Sequence, residues 1–294
     1  MVGWIIYYRD SAVYNKKYIQ FYVGEGNKLG IKIQLLLVEE LEFGVREGRC
    51  FISSGGKELE RPDFAICRAI YPLLSRQLEA MGIRVFNNSM VSEICNDKAR
   101  TYQYLAKTGI RMLDTCFFRN FQVDEVLDPA RFAQGPIVIK AVDGHGGNQV
   151  FLHRAKEDEP SSSVSTIREG LGSSDIVVQP LTGGRHQDLR VYVIGREIIA
   201  SVLRTAKEGF KSNFSLGGEV RLYSLRQEER AIVEQIMEEF DFGLVGIDFI
   251  IGDEGELIFN EIEDVVGSRM LYQCSDINIA ERYLYFIRNC LRTI

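Results

Sequence analysis

The chain has 294 residues, enough for two domains or one domain in several lobes, and its 46% hydrophobic and 26% charged content allows a sizeable core. Its 35 basic and 41 acidic residues leave a net charge of −6, which argues against nucleic acid or an anionic membrane as a partner but leaves room for a local basic pocket. No apolar run approaches the roughly 18 residues of a membrane span, and the opening Trp4-Ile5-Ile6-Tyr7-Tyr8 meets Arg9-Asp10 too soon for a signal-peptide core. Six scattered cysteines without a C-x-x-C pair, and three isolated histidines, read as reduced thiols in cytosol rather than a zinc site or disulfide framework.

In chain order, residues 3–8, 31–38 and 64–70 read as strands, 73–81 as a helix and 82–86 as a further strand, a β/α alternation that fits a small open sheet. Asn87-Asn88-Ser89 caps a helical stretch with apolar positions at Met90, Val91, Ile94, Tyr102, Leu105 and Ala106, closed by Gly109. Residues 136–142 and 149–152 read as strands about a glycine-rich turn, 156–165 as a surface loop, and 175–179 as a strand ending at Pro180. Residues 189–194 and 198–203 form a hairpin around Gly195, 207–218 is polar and glycine-rich, and 226–240 is an amphipathic helix. Residues 244–251 and 256–263 are the last two strands, and no internal repeat is present.

Several stretches carry chemistry. Gly252-Asp253-Glu254-Gly255 joins the last two strands as a hairpin. With Ile251 facing Glu256, Asp248 faces Phe259 and Gly246 faces Glu261, so that Asp248, Glu261 and Glu263 share one face with Gly246, Ile250, Leu257 and Phe259. Carboxylates that close can clamp one or two Mg²⁺ ions, which take hard oxygen ligands; a solvated acidic sheet face is the competing reading. Lys140 precedes Asp143-Gly144-His145-Gly146-Gly147-Asn148, a turn whose backbone N–H groups can approach phosphate oxygens, unless it is a plain hairpin. The spacing fits neither the Rossmann G-x-G-x-x-G nor the P-loop G-x-x-x-x-G-K-[ST]. Arg204, Lys207, Lys211 and Asn213, with Gly209, Gly217 and Gly218, lie in one stretch suited to closing over an anionic intermediate, or to a charged surface loop. Val177-Val178-Gln179-Pro180-Leu181 is extended backbone whose end offers the kind of C=O and N–H an adenine edge needs, as many strand ends do.

Together and in this order, these stretches resemble the ATP-grasp superfamily, and within it the RimK-like group of ATP-dependent carboxylate–amine ligases. The resemblance runs over about residues 82–270, through Gly82-Ile83-Arg84-Val85-Phe86, Asn96-Asp97-Lys98, Thr108-Gly109-Ile110, Ile137-Val138-Ile139-Lys140, Asp188-Leu189-Arg190, Gly246-Ile247-Asp248 and Asn260-Glu261-Ile262-Glu263. It implies an α/β (α+β) ATP-grasp fold. A small N-terminal α/β domain, residues 1–88, would precede two α+β lobes clasping ATP, 89–182 and 183–294, the second with the Mg²⁺ site. It implies phosphate contacts from Lys98 and Lys140, a phosphate-covering loop at Gly144, Gly146 and Gly147, and adenine contacts from the backbone of Gln179 and Leu181. Asp188 would lie at the ribose, Asn213 near phosphates and metal, and Asp248, Glu261 and Glu263 on Mg²⁺. Arg204 would stabilise the acyl-phosphate and tetrahedral intermediates, with Lys140 and Asn213 also in the catalytic set.

The metal motif departs from the family's E-x-N, with Glu263 where asparagine is usual. Val265-Val266-Gly267-Ser268-Arg269 stands in place of the family's N-x-x-P-G stretch, so Arg269 is a candidate to bind a substrate carboxylate, as is Arg68 in the first domain. Asp264 joins the acidic cluster that Mg²⁺ would offset, while Lys207 and Lys211 would face the nucleotide. The implied activity is peptide-type bond formation: a carboxylate is activated as an acyl phosphate and attacked by an amine, using ATP and Mg²⁺ (one or two ions, or Mn²⁺). The substrates would be small-molecule acids and amines, an amino acid or peptide or a protein acceptor, handled by a cytoplasmic homo-oligomer. A small-molecule kinase and a non-catalytic nucleotide-binding protein are the alternatives.

Overall fold

The computed structural model describes residues 1–127, 135–154, 164–184, 186–205 and 219–292. The chain opens with β1 (Val2–Tyr7), α1 (Arg9–Tyr14), α2 (Lys16–Lys28) and β2 (Lys32–Leu37). It continues through β3 (Leu41–Arg46), β4 (Arg49–Ser54), β5 (Lys57–Glu58), β6 (Phe64–Cys67), α3 (Pro72–Ala80) and β7 (Arg84–Phe86). Strands β2-β1-β6-β7 form a parallel sheet in that order. Parallel strands are covered on both faces, which is why β1 is an unbroken apolar run: Ile5 and Tyr7 enter one core, Trp4 and Ile6 another. Strands β3–β5 make a separate antiparallel sheet whose charged, half-exposed strands lack a clean apolar alternation and so were not expected.

The helical stretch expected after residue 89 is two helices, α4 (Ser89–Cys95) and α5 (Lys98–Leu105). Asp97 restarts it, its carboxylate accepting the Arg100 N–H at 3.0 Å as an N-cap. Then come β8 (Cys116–Phe118), α6 (Val123–Val126), β9 (Ile137–Ala141), β10 (Val150–His153), α7 (Val164–Leu171) and β11 (Ile176–Pro180). The four strands form an antiparallel sheet, β10-β9-β11-β8, over a core shared with α6 and α7.

The remaining elements are β12 (Gln187–Ile194), β13 (Glu197–Thr205), β14 (Glu219–Tyr223), α8 (Gln227–Glu238), β15 (Leu244–Ile251), β16 (Leu257–Glu263), α9 (Arg269–Cys274) and α10 (Ile279–Arg292). The strands form a large antiparallel sheet, β14-β13-β12-β15-β16. One face, with Leu189, Val191, Phe249 and Phe259, packs on Val91, Leu105, Val233 and Ile236 of α4, α5 and α8. On the opposite face, Tyr192 and Ile194 share a core with Ile5 and Tyr7 of the leading sheet and with Tyr283, Leu284 and Ile287 of α10. The closing helix thereby fastens the large sheet to the start of the chain. Among the described residues no helix is long and apolar enough to cross a membrane.

Candidate active site

Strands β15 and β16 pair with Ile251 opposite Leu257, Ile250 opposite Ile258 and Phe249 opposite Phe259. The expected pairing of Ile251 with Glu256 is therefore one residue out, and Leu257 and Phe259 turn into the core with Phe249 rather than onto the polar face. Continued unbroken, this register would set Asp248 opposite Asn260 and send Glu261 and Glu263 into the core. A one-residue bulge at Asn260 prevents that: beyond it Asp248 faces Glu261 and Gly246 faces Glu263. Carboxylate oxygens of Asp248, Glu261 and Glu263 then lie within 4.8 Å of one another. Asp264 does not join them. It is buried elsewhere and accepts Nδ2–H of Asn87 at 2.5 Å and of Asn96 at 2.9 Å, tying the chain after β16 to the segment around α4.

Alternation along β12 puts Asp188 and Arg190 on the same polar face, and Arg190 stands opposite Asp248. Arg190 donates Nε to Asp248 Oδ1 at 2.7 Å and Nη2 to Oδ2 at 2.6 Å, a bidentate pair, and its Nη2 also lies 2.7 Å from Glu263 Oε1. Arg204, opposite Asp188 on β13, bonds Asp188 through Nε and Asp248 Oδ2 through Nη2 at 2.8 Å. Gly246 makes room for this network, since a Cβ there would lie 2.6 Å from Val266 Cγ2 and 3.3 Å from Arg190 Cδ. Burial alone would raise the Asp248 carboxyl, but the two guanidiniums outweigh it and hold it below the usual carboxylate range. Glu263 goes the other way, its carboxyl raised by burial despite Arg190. Nothing in the sequence alone gives Arg190 a role; the signal for it is the alternation in Asp188-Leu189-Arg190.

Lys98 opens α5, and its ammonium donates to the Gly144 carbonyl at 2.5 Å and lies 3.3 Å from Glu261 Oε2. Lys140, on β9, donates to Asn260 Oδ1 at 2.9 Å. Burial lowers the Lys140 ammonium to about 8, Lys98 adding to the effect and Glu261 opposing it. Both lysines line one cleft with Gly144, Gly146, Gly147, Gln179, Leu181 and Asp188. Gly146 and Gly147 adopt φ of +65° and +76°, which side-chain-bearing residues rarely take. Two expected contacts are otherwise engaged. The Leu181 N–H donates to the Pro136 carbonyl at 3.0 Å, because the β9–β11 pairing carries on past Pro180, and Asp188 carries Arg204 while still bordering the cleft. Asn213, Lys207 and Lys211 lie outside the described residues.

A second cavity shares Glu261, Gly146 and Gly147 with this cleft and is otherwise bordered by Arg190, Arg204 and Glu263 on one side and Tyr7, Tyr18 and Arg68 on the other. Arg269 also borders it, stacked 3.9 Å over the Tyr14 ring and bonded to its hydroxyl. Two lysines and a glycine turn fit a polyphosphate, and three clustered carboxylates are the hard oxygen donors that Mg²⁺ takes.

Residues 95–287 match the family model of the RimK-like ATP-grasp domain. A protein of Legionella pneumophila (strain Corby) named "Probable alpha-L-glutamate ligase" is 30% identical over 223 residues, 74% of this chain and 72% of its own. One of the same name from Serratia proteamaculans is 27% identical over 95% of this chain and 93% of its own. Among solved structures, the VanG D-Ala:D-Ser ligase of Enterococcus faecalis superposes with a TM-score of 0.73 at 15% identity, covering 97% of this chain and 98% of that one. The fold is that of ATP-grasp ligases. The chain belongs to the RimK-like ATP-grasp family, which binds ATP with Mg²⁺, and it is an ATP-dependent carboxylate–amine ligase.

Arg190→Met leaves Glu263 without its guanidinium and Asp248 with only Arg204. Breaking a buried ion pair costs about 3–5 kcal/mol, and a loss of that size is expected in urea denaturation at pH 7. Because Asp248 is held below its unfolded value, its contribution is present at neutral pH and is lost as pH falls below about 4. The difference between wild type and variant should therefore shrink in acid; a constant difference would show that the pair is not its source.

Proposed function

We propose that the cleft lined by Lys98, Lys140 and the Gly144–Gly147 turn holds ATP, and that the adjoining cavity holds the acid and then the amine. The observation that carries this reading is the shared wall: Glu261, Gly146 and Gly147 border both spaces, so a γ-phosphate and a substrate carboxylate can meet there. Lys98 and Lys140 bind and orient the phosphates. A carboxylate oxygen attacks the γ-phosphorus in line, the bond to ADP breaks, and an acyl phosphate forms. The amine lone pair then attacks the acyl carbon, phosphate leaves with the C–O bond pair, and the nitrogen loses its proton. Arg204 borders the cavity beside that carbon and stabilises the developing oxyanion, so positioning and electrostatics supply the rate.

Asp248, Glu261 and Glu263 would hold Mg²⁺, which supplies charge neutralisation at the phosphates when bound. Glu263 adds a charge where the family places asparagine, and Arg190 at 2.7 Å offsets it, which supports one ion rather than two. The names of the Legionella and Serratia relatives support an α-amino acid, glutamate first, as the amine. Division of the chain into 1–88, 89–182 and 183–294, a homo-oligomeric state and a cytoplasmic site, where ATP is available, belong to the same reading.

ADP release should require an acid and an amine together, with a product mass equal to their condensation. A phosphorylated product formed without an amine would instead mark a kinase, and ATP binding without turnover on any pair a non-catalytic protein. Glu261→Gln should cut turnover by at least about 100-fold while the fold persists; near-normal turnover would remove Glu261 from the metal set.

Lys140 gives a pH signature. With its ammonium lowered to about 8, it is half deprotonated there in the free protein. Phosphates raise it again, so nucleotide binding takes up to about half a proton at pH 8 and close to none at pH 6. Calorimetry in two buffers of different ionisation enthalpy reads this directly. Uptake absent at pH 8 would place the phosphates away from Lys140.

A further inference from the structure

The leading parallel sheet ends, at its strand C-termini, on the second cavity. Tyr7 is the last residue of β1, and Arg68 follows β6 directly, its N–H accepted by the Ile6 carbonyl at 2.8 Å. Ligands of open α/β sheets bind at that edge. Both side chains border the cavity and both are buried, Tyr7 at 1% and Arg68 at 8% exposure. Arg68 donates Nη2 to the Val266 carbonyl at 2.9 Å and lies over the Tyr18 ring, but it makes no ion pair among the described residues: the buried carboxylate that feels its charge, Asp264, is bonded instead by Asn87 and Asn96. The Tyr7 hydroxyl lies against the Arg68 guanidinium and can accept from it, but its own O–H has no acceptor, and Arg68 Nε no well-formed partner, among the described residues.

This contrasts with the other buried guanidiniums of the cavity. Arg190 and Arg204 are saturated by Asp248, Glu263 and Asp188. A buried cation that makes no ion pair, beside a buried hydroxyl without an acceptor, is unfavourable in the free protein. A carboxylate satisfies both at once, taking Nε–H from Arg68 and O–H from Tyr7. Lys98 and Lys140 line only the nucleotide cleft, while Glu261 lies on the wall that cleft shares with this cavity.

We propose that Arg68 and Tyr7 bind a carboxylate that does not react, so that this ligase selects a substrate carrying one acid group besides the reacting function. The inference rests on the reading of the second cavity as the substrate site. The non-reacting group is the α-carboxylate of an amino acid, the second acid of a dicarboxylate or the free C-terminus of a peptide, and matched acid and amide probes separate these sources.

The full chain is loaded with Mg²⁺ and a non-hydrolysable ATP analogue, and affinity is read by thermal shift. The probes are L-glutamate, L-glutamine, L-glutamate α-amide, glutarate, and a short peptide ending in glutamate as acid and as amide. At least one acid should bind about tenfold or more tightly than the amide that lacks the same group, as expected for a hydrogen bond to a charged partner. Arg68→Met should bring the pair to equal affinity, Arg68→Lys should keep part of the preference, and Tyr7→Phe, which preserves the packed ring, should reduce it about threefold or more. Nucleotide affinity, measured separately, should stay at the wild-type value in all three variants. Loss of nucleotide binding in the wild type would instead count against the ATP-grasp site itself. With nucleotide binding intact, an unchanged acid preference in both Arg68→Met and Tyr7→Phe, or no acid preference across the panel in wild type, overturns the proposal.

Discussion

The site is organised around one buried carboxylate. Asp248 is 1% exposed and accepts from two guanidiniums, Arg190 through both oxygens and Arg204 through one. Each arginine passes the constraint on, Arg190 to Glu263 and Arg204 to Asp188. A network of this kind gives little net stability over a well-packed apolar core, since desolvation cancels much of the attraction. Its value is positional: it fixes the carboxylate oxygens and both guanidiniums across β13, β12, β15 and β16, so that little reorganisation would be needed if charge develops beside them. With Lys98 and Lys140 beyond Glu261, four acidic and four basic side chains share the space. The chain's net charge of −6 carries no trace of this local balance.

A second constraint is the single extra residue in β16. The hairpin register set at its turn would bury Glu261 and Glu263 among apolar side chains. The bulge at Asn260 reverses their facing, and Asn260 itself meets Lys140 across from the other sheet. One backbone irregularity thus assembles the acidic set and docks Lys140 next to it. Bulges sit beside active sites for this reason: they re-aim side chains that a regular ladder would misplace.

Much of this was legible in the residues. The apolar run of β1, the β9–β10 turn and the late hairpin follow from alternation and turn chemistry, whereas the expected grouping of Asp248, Glu261 and Glu263 comes from a register one residue out and holds only because of the bulge at Asn260. Lys98 does not; nothing local marks it, and only the resemblance linked it to Lys140. Arg190 was visible in its alternation with Asp188, but its partner lies 58 residues away, and sequence pattern cannot say that β12 pairs with β15. The engaged Leu181 N–H and the separate role of Asp264 were hidden for the same reason, being set by contacts across the fold. The charged strands β3 and β4 show the limit of alternation itself: without a continuous apolar face they give no strand signal.

The central claim is that a substrate carboxylate attacks the γ-phosphate at the wall shared by the two cavities. Isotope transfer tests it most directly. With ¹⁸O in the carboxylate of the accepted acid and unlabelled ATP, turnover with an amine should place one ¹⁸O in each phosphate released, because the carboxylate oxygen that forms the acyl phosphate leaves with the phosphorus. Phosphate free of label, formed at the same rate as ADP, would show that the carboxylate never attacks phosphorus and would contradict the account.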